Sequence, residues 1–329
     1  MGGLLWNLGR VDAQRYERIK NTIQPYLERK FGSLYRIPRS YGSKPDFGDL
    51  DVLVSSQAIP LTWQQTTREI VQELAVVQSK SVGKVFSTNF MDFQVDYFLV
   101  SPAHFESTYN FMCFNDLGNL LGKMFHRFNL KYGEEGLAYV YRRADGHYKV
   151  DLPVSTDMEK ILTFIGLDYG HWRDGFATLE EMFAWVVQSP YFSVRPYLAP
   201  SASTQKRVQH RKTIQAFVTW LAENQISAHY AALENREAYL PWIQDFFPES
   251  DLLNQVARER ENEARATELR SKFNGNLVKE LTQLEGQALG AFIAHFKATF
   301  ADFDDFLINN DWATIQQAIV RFFLHWKDH

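Results

Sequence analysis

The sequence predicts an α+β fold: a small sheet with flanking helices over residues 1–112, then a mostly α-helical region over 113–329. Three observations predict it. Leu50, Val52 and Val54 alternate with Asp49, Asp51 and Leu53, the period-two pattern of a strand with one buried face. The stretch 91–100 repeats that pattern more clearly, with Phe93, Val95 and Tyr97 alternating with Asp92, Gln94 and Asp96. From about Asp116 onward the apolar period changes from two to mostly 3.6, the helical value.

The elements follow in order. Asp12 is placed to cap a first helix, whose apolar positions are Tyr16, Ile19, Ile23, Tyr26 and Leu27; Pro25 inside it is a source of a kink. Residues 34–38 read as a short strand, and 41–47, rich in Gly, Pro and Asp, as a loop. The Asp49–Val54 alternation is the next strand. Residues 62–80 read as an amphipathic helix with Ile70, Leu74 and Val77 on its buried face. Two further strands are expected at 82–86 and 90–100. Helices are expected at 116–129, 157–166, 178–188, 204–224, 234–247, 249–272, 276–300 and 311–327, with a small β insertion at 137–141 and 148–152. The Pro- and Ser-rich stretch 189–204 reads as a joint.

Composition narrows the function. The chain of 329 residues has room for two domains, and its 45% hydrophobic and 22% charged content is that of a globular protein. Aromatics reach 15%, which reads as a core of large side chains rather than as a stacking surface. A net charge of −4 argues against non-specific binding of long nucleic acid, which calls for a basic face. The single Cys113 excludes an internal disulfide and a Cys-rich zinc site, and fits a cytoplasmic location. The apolar run at the start is too short for a signal peptide, and Trp6 stands where a myristoylation motif needs Ser or Thr. No run of 18 apolar residues occurs, so no membrane span is expected. The nine His lack metal-ligand spacing, and no phosphate-binding Walker loop or Gly-x-Gly-x-x-Gly motif is present.

The acidic residues carry more information. Asp49 and Asp51 stand two apart on a strand, so both side chains leave on one face. Two converging carboxylates can hold hard divalent cations, which prefer oxygen ligands. Phosphoryl transfer commonly uses two such ions about 3.5–4 Å apart, to neutralise the phosphates and the attacking oxygen. Asp96, on the strand 90–100, is the natural third ligand. Asp46 in the loop and Asp92 at the start of that strand are weaker candidates. Ahead of the pair, Gly42 lets backbone N–H groups approach phosphate oxygens, and the Ser43 hydroxyl adds a donor.

Gly42-Ser43, then Asp49-x-Asp51, then a strand bearing Asp96, resemble the signature of the DNA polymerase β superfamily of nucleotidyltransferases over roughly residues 35–100. The resemblance implies that superfamily's catalytic sheet in residues 1–112 and a nucleotide- and acceptor-binding helical domain in 113–329. It implies that Asp49 and Asp51 ligate two Mg2+ (or Mn2+) ions and that Asp96 ligates the one activating the attacking hydroxyl. It also implies an NTP as substrate, with its triphosphate near Gly42 and Ser43. One departure is the spacer: five residues, 44–48, separate Ser43 from Asp49, shorter than is usual in the superfamily, which brings Lys44 within reach of the phosphates.

Superfamily members that polymerise nucleotides also use a basic residue on a helix after the sheet. Here that helix carries Asn119, Lys123 and Arg127 on one polar stripe, with Lys123 as the triphosphate contact. A second basic cluster, Lys206, Arg207, Arg211 and Lys212, is the candidate acceptor contact. The activity expected is transfer of a nucleoside monophosphate to a hydroxyl with release of pyrophosphate, an RNA 3′ end being the favoured acceptor. Two other readings stand beside it: nucleotidylation of a small molecule or protein (or synthesis of a nucleotide messenger), and a non-catalytic nucleotide-binding module.

Overall fold

The computed structural model describes residues 5–60, 62–143, 149–198 and 211–327. Among them the chain forms two compact units, one of residues 1–141 with 149–253 and one of 254–329 with 142–148. The expected boundary near residue 112 falls inside the first unit.

The first unit is organised by a mixed five-stranded sheet in the order β2-β4-β7-β6-β5. These strands are β2 (Tyr35–Arg36), β4 (Asp49–Ser55), β5 (Gln78–Val82), β6 (Val85–Phe90) and β7 (Phe93–Val100). The central pair, β4 and β7, is parallel, which requires a crossover, and α2 (Trp63–Glu73) lies in it. A separate short pair joins β1 (Val11–Asp12) to β3 (Asp46–Phe47). Helices flank the sheet and a largely helical region follows, the α+β architecture expected.

Helix α1 (Ala13–Phe31) starts at Asp12, whose side chain accepts from the Arg15 N–H. Pro25 lies inside the helix, which runs on to Phe31. Its face of Tyr16, Ile19, Ile23 and Leu27 packs on Leu50, Val52 and Val54 of β4 and on Phe93, Val95 and Tyr97 of β7. The other side of the same strands is apolar at one end. There Leu53 and Val100 pack with Phe105 of α3 (Phe105–Met112), a short helix the sequence pattern did not reveal. The alternation that buries Leu50 and Val52 against α1 therefore puts Asp49 and Asp51 on the same face as Leu53.

Three expected elements are corrected. The helix expected over 62–80 stops at Glu73, because Ala75 turns left-handed (φ 49°) and Gln78–Val82 pairs with β6 as an edge strand. Val77, expected on the buried stripe, is 82% exposed. The strand expected at 82–86 is cut by a two-residue turn at Gly83-Lys84, with Gly83 at φ 60°. Met91 and Asp92, both at φ 57°, form a second two-residue turn between β6 and β7, so Asp92 is a turn residue rather than a strand residue.

The β insertion is a three-stranded sheet, with β8 (Leu130–Gly133) added to β9 (Gly136–Arg142) and β10 (Lys149–Ser155). The expected helix 276–300 is two helices, Gly275–Thr282 and Gly286–Ala298, broken where Gln283 and Gly286 take positive φ. They belong to the second unit, whose core is built on Phe273, Phe292, Phe296 and Phe323 with Val278 and Ile319. The aromatic content noted in the sequence fills such cores. No helix among the described residues is long and apolar enough to cross a membrane.

Candidate active site

The three carboxylates meet because of register. In the parallel β4–β7 ladder Asp51 stands opposite Asp96, and Asp49 opposite Gln94. Residues opposite each other across a ladder point to one face. One oxygen from each of Asp49, Asp51 and Asp96 lies within 4.8 Å of the others. Among the described residues this is the acidic cluster able to hold a metal ion; Asp46 and Asp92 are outside it.

Asp96 is held from two sides. The Gln94 amide donates to both its oxygens, at 3.1 and 2.9 Å. The Ser87 side chain, opposite it on β6, hydrogen-bonds it as well. Burial raises the Asp96 carboxyl above its usual range while these two bonds oppose the rise. Asp51 is pushed well above the carboxylate range, first by burial and then by the charges of Asp49 and Asp96. Gln94 and Ser87 were missed in the sequence, yet a signal existed for Gln94: two residues before Asp96 on a strand, it shares its face.

The turn ahead of the pair is held by distant chain. The Gly42 N–H donates to the Phe176 carbonyl and the Ser43 N–H to the Ala177 carbonyl, both at 2.8 Å. A Cβ on Gly42 would lie 3.2 Å from the Ala177 oxygen, so the close approach of this backbone leaves little room for a side chain there. Both N–H groups are thus engaged by carbonyls, which leaves the Ser43 hydroxyl and the Lys44 amine as the side-chain donors of the turn. Lys44 donates to Asn115 Oδ1 at 3.1 Å and sits 4.3 Å from the Phe47 ring centre. Burial lowers its pKa, while Asp49 and Asp51 work against that. The short spacer has a use: Asp46 and Phe47 pair with β1, and Arg10 binds the Asp46 carboxylate at 2.6 Å, which holds it below its usual range.

The remaining candidates separate. Asn119 donates to Asp116 at 3.2 Å, and Asp116 is ion-paired with Arg211. Lys212 adds to the field that lowers Asp46. Arg211 and Lys212, at the start of helix Lys212–Glu223, thus lie beside the 42–47 loop and the start of α4 (Leu117–Phe125). Lys123 donates to the Pro196 carbonyl at 3.2 Å and lies 4.6 Å from the Tyr197 ring centre. Arg127 donates to the Tyr230 carbonyl at 2.7 Å. In this conformation Lys123 ties α4, and Arg127 the 3-10 turn after it, to distant stretches of chain. Lys206 and Arg207 lie outside the described residues.

The charge cluster makes a stability prediction. A carboxyl whose folded pKa lies above its unfolded value favours folding most when protonated; that contribution is lost as pH rises through the folded pKa. In chelator, Asp51→Asn is therefore expected to melt higher than the parent at pH 7.5, by a few degrees. The gain should shrink as pH falls and vanish below about 3.8, the unfolded value. Excess Mg2+ should raise the parent's melting temperature and narrow the gap. Equal melting of the two proteins in chelator at pH 7.5 would show that the carboxylates do not strain the metal-free site.

No protein-family model matches the chain, and no curated protein matches its sequence.

Proposed function

We propose that the chain is a metal-dependent nucleotidyltransferase of the DNA polymerase β superfamily, transferring a nucleoside monophosphate from an NTP to a hydroxyl, with an RNA 3′ end as acceptor. The observation that carries this reading is the convergence of Asp49, Asp51 and Asp96 on adjacent strands of a mixed sheet.

The residues fit a hard divalent cation. The donors are all carboxylate oxygens, and the mutual repulsion that lifts Asp51 is relieved when positive charge enters. Asp49, Asp51 and Asp96 would hold Mg2+ or Mn2+, which neutralises phosphate charge and eases deprotonation of the attacking hydroxyl. Ser43 and Lys44 offer a hydroxyl and an amine on the β4 side for the phosphates. Gln94 and Ser87 keep Asp96 oriented. In the reaction the acceptor oxygen forms a bond to the α-phosphorus as the bond to the β-phosphate bridging oxygen breaks. The electron pair leaves with pyrophosphate and the hydroxyl proton passes to solvent. Arg211 and Lys212 beside the loop support a phosphate-bearing acceptor.

The test is product analysis with α-labelled NTPs and Mg2+ or Mn2+, with and without RNA. Label on RNA 3′ ends together with free pyrophosphate is expected. Label on a small molecule or on protein, independent of RNA, would move the acceptor to the other class. No transfer of label to any acceptor would remove the reading.

A further inference from the structure

The stretch of chain ahead of β1 reaches the carboxylate site. None of residues 5–10 is buried, and among the described residues Val11 is the first to join the core of the sheet. A Cβ on Gly9 would meet nothing within 4 Å, and Asn7 takes a left-handed turn at φ 54°. Hydrogen bonds hold this segment at both ends. Arg10 donates to the Asp46 carboxylate at 2.6 Å and to the Asp46 carbonyl at 3.0 Å. The Leu5 N–H donates to Gln94 Oε1 at 3.4 Å.

The Leu5 contact matters because of what Gln94 does with its other end. Gln94 stands two residues before Asp96 on β7 and shares its face. Its amide nitrogen donates to both Asp96 oxygens, at 3.1 and 2.9 Å. An atom about equally far from both oxygens sits in the mouth of the carboxylate. The lone pairs it engages there are those that a hard cation takes. The Gln94 amide and a cation therefore compete for Asp96.

Both side chains are enclosed, Gln94 at 4% exposure and Asp96 at 8%. Oε1 and Nε2 belong to one planar amide, so its two contacts are coupled. The Leu5 N–H holds the amide in the orientation that fills the mouth of Asp96. A turn of the amide away from Asp96 gives up the Leu5 bond as well.

We infer that residues 5–10 are a latch on the carboxylate site. With Leu5 on Gln94, the Gln94 amide blocks Asp96 against a divalent cation. Release of Leu5 frees the amide to turn and opens the third carboxylate. The segment is suited to release, because it buries none of its side chains and its Leu5 end gives up one neutral hydrogen bond. The inference rests on the metal-dependent nucleotidyltransferase reading, of which it uses the cation site.

The test uses the full chain and Mn2+ alone, without nucleotide. Leu5→Pro deletes the N–H that Gln94 accepts, and Leu5→Ala keeps it. By titration calorimetry, Leu5→Pro should bind Mn2+ about fivefold more tightly than the parent, the equilibrium factor of one neutral hydrogen bond. Leu5→Ala should match the parent. In the parent, saturating Mn2+ should speed amide hydrogen exchange over residues 5–10, followed by mass spectrometry. Equal Mn2+ affinity in Leu5→Pro and Leu5→Ala, or slower exchange of the segment with Mn2+ bound, would overturn the latch. Absence of Mn2+ binding in all three proteins would overturn it together with the cation site. Mn2+ binding that follows the expected order without any nucleotidyl transfer would sustain the latch and remove the nucleotidyltransferase reading alone.

Discussion

Asp49→Ala and Asp51→Ala are each expected to lower nucleotidyl transfer by at least about 10³-fold, because each removes an oxygen ligand from the charge that stabilises the transition state. The expectation follows from geometry. Both residues sit on β4, two apart, with their partners on β7 in register, and the three oxygens lie within 4.8 Å. No other carboxylate among the described residues joins that cluster, so neither loss has a ready substitute. The fold should persist, since the packed side of β4 is formed by Leu50, Val52 and Val54 and is untouched. The measurement is kcat/KM for NTP, with circular dichroism to verify folding. Losses in the two variants should not add in the double variant, because the residues act as one unit. Retention of a tenth or more of parental activity in either folded variant would place the chemistry elsewhere.

Glu181→Ala is expected to cost activity on the order of 10²-fold, although Glu181 is no part of the carboxylate cluster. Its Oε2 accepts the Ala177 N–H at 2.6 Å, and its Oε1 meets His171 Nε2 at 2.8 Å. It also closes a capping box with Thr178 at the start of the helix Leu179–Val186. The carbonyls of Phe176 and Ala177 in turn accept from Gly42 and Ser43. Without the carboxylate, the 176–178 segment loses its anchor and the Ser43 hydroxyl loses its place. The effect should be a raised NTP KM together with a lowered kcat. Glu181→Gln keeps one acceptor oxygen and should recover part of the loss, which a purely structural lesion would not show. An alanine variant with parental NTP KM would separate the Gly42-Ser43 turn from nucleotide binding. The His171 hydrogen bond holds the Glu181 carboxyl below its usual range.

Much of the site is legible locally. The alternation through Leu50, Val52 and Val54 puts Asp49 and Asp51 on one face, because strand period is a property of neighbouring residues. The alternation of Phe93, Val95 and Tyr97 likewise places Asp96, and with it Gln94, on the opposite face from the core. Asp12 announces the start of α1 by its chemistry alone. Where local rules compete, they mislead. Leu74 and Val77 continue the helical stripe of α2, but pairing with β6 draws Gln78–Val82 into the sheet. Lys123 and Arg127 form a polar stripe on paper, yet their donors reach carbonyls more than seventy and a hundred residues away.

The presence of the carboxylates, their strands and the face each side chain takes are therefore written in short-range pattern. Their meeting is not. A parallel ladder is joined through a long crossover, and the alternation of β4 and β7 is compatible with several registers; the one adopted sets Asp51 against Asp96. The Gly42-Ser43 turn is the same kind of case: glycine there is visible at once, but its reason is a carbonyl of Ala177, 135 residues on. Periodicity records which face of an element is apolar. It carries no address for the partner that a hydrogen-bonding group finds across the chain, and that partner is what turns three separate acids and a small loop into one site.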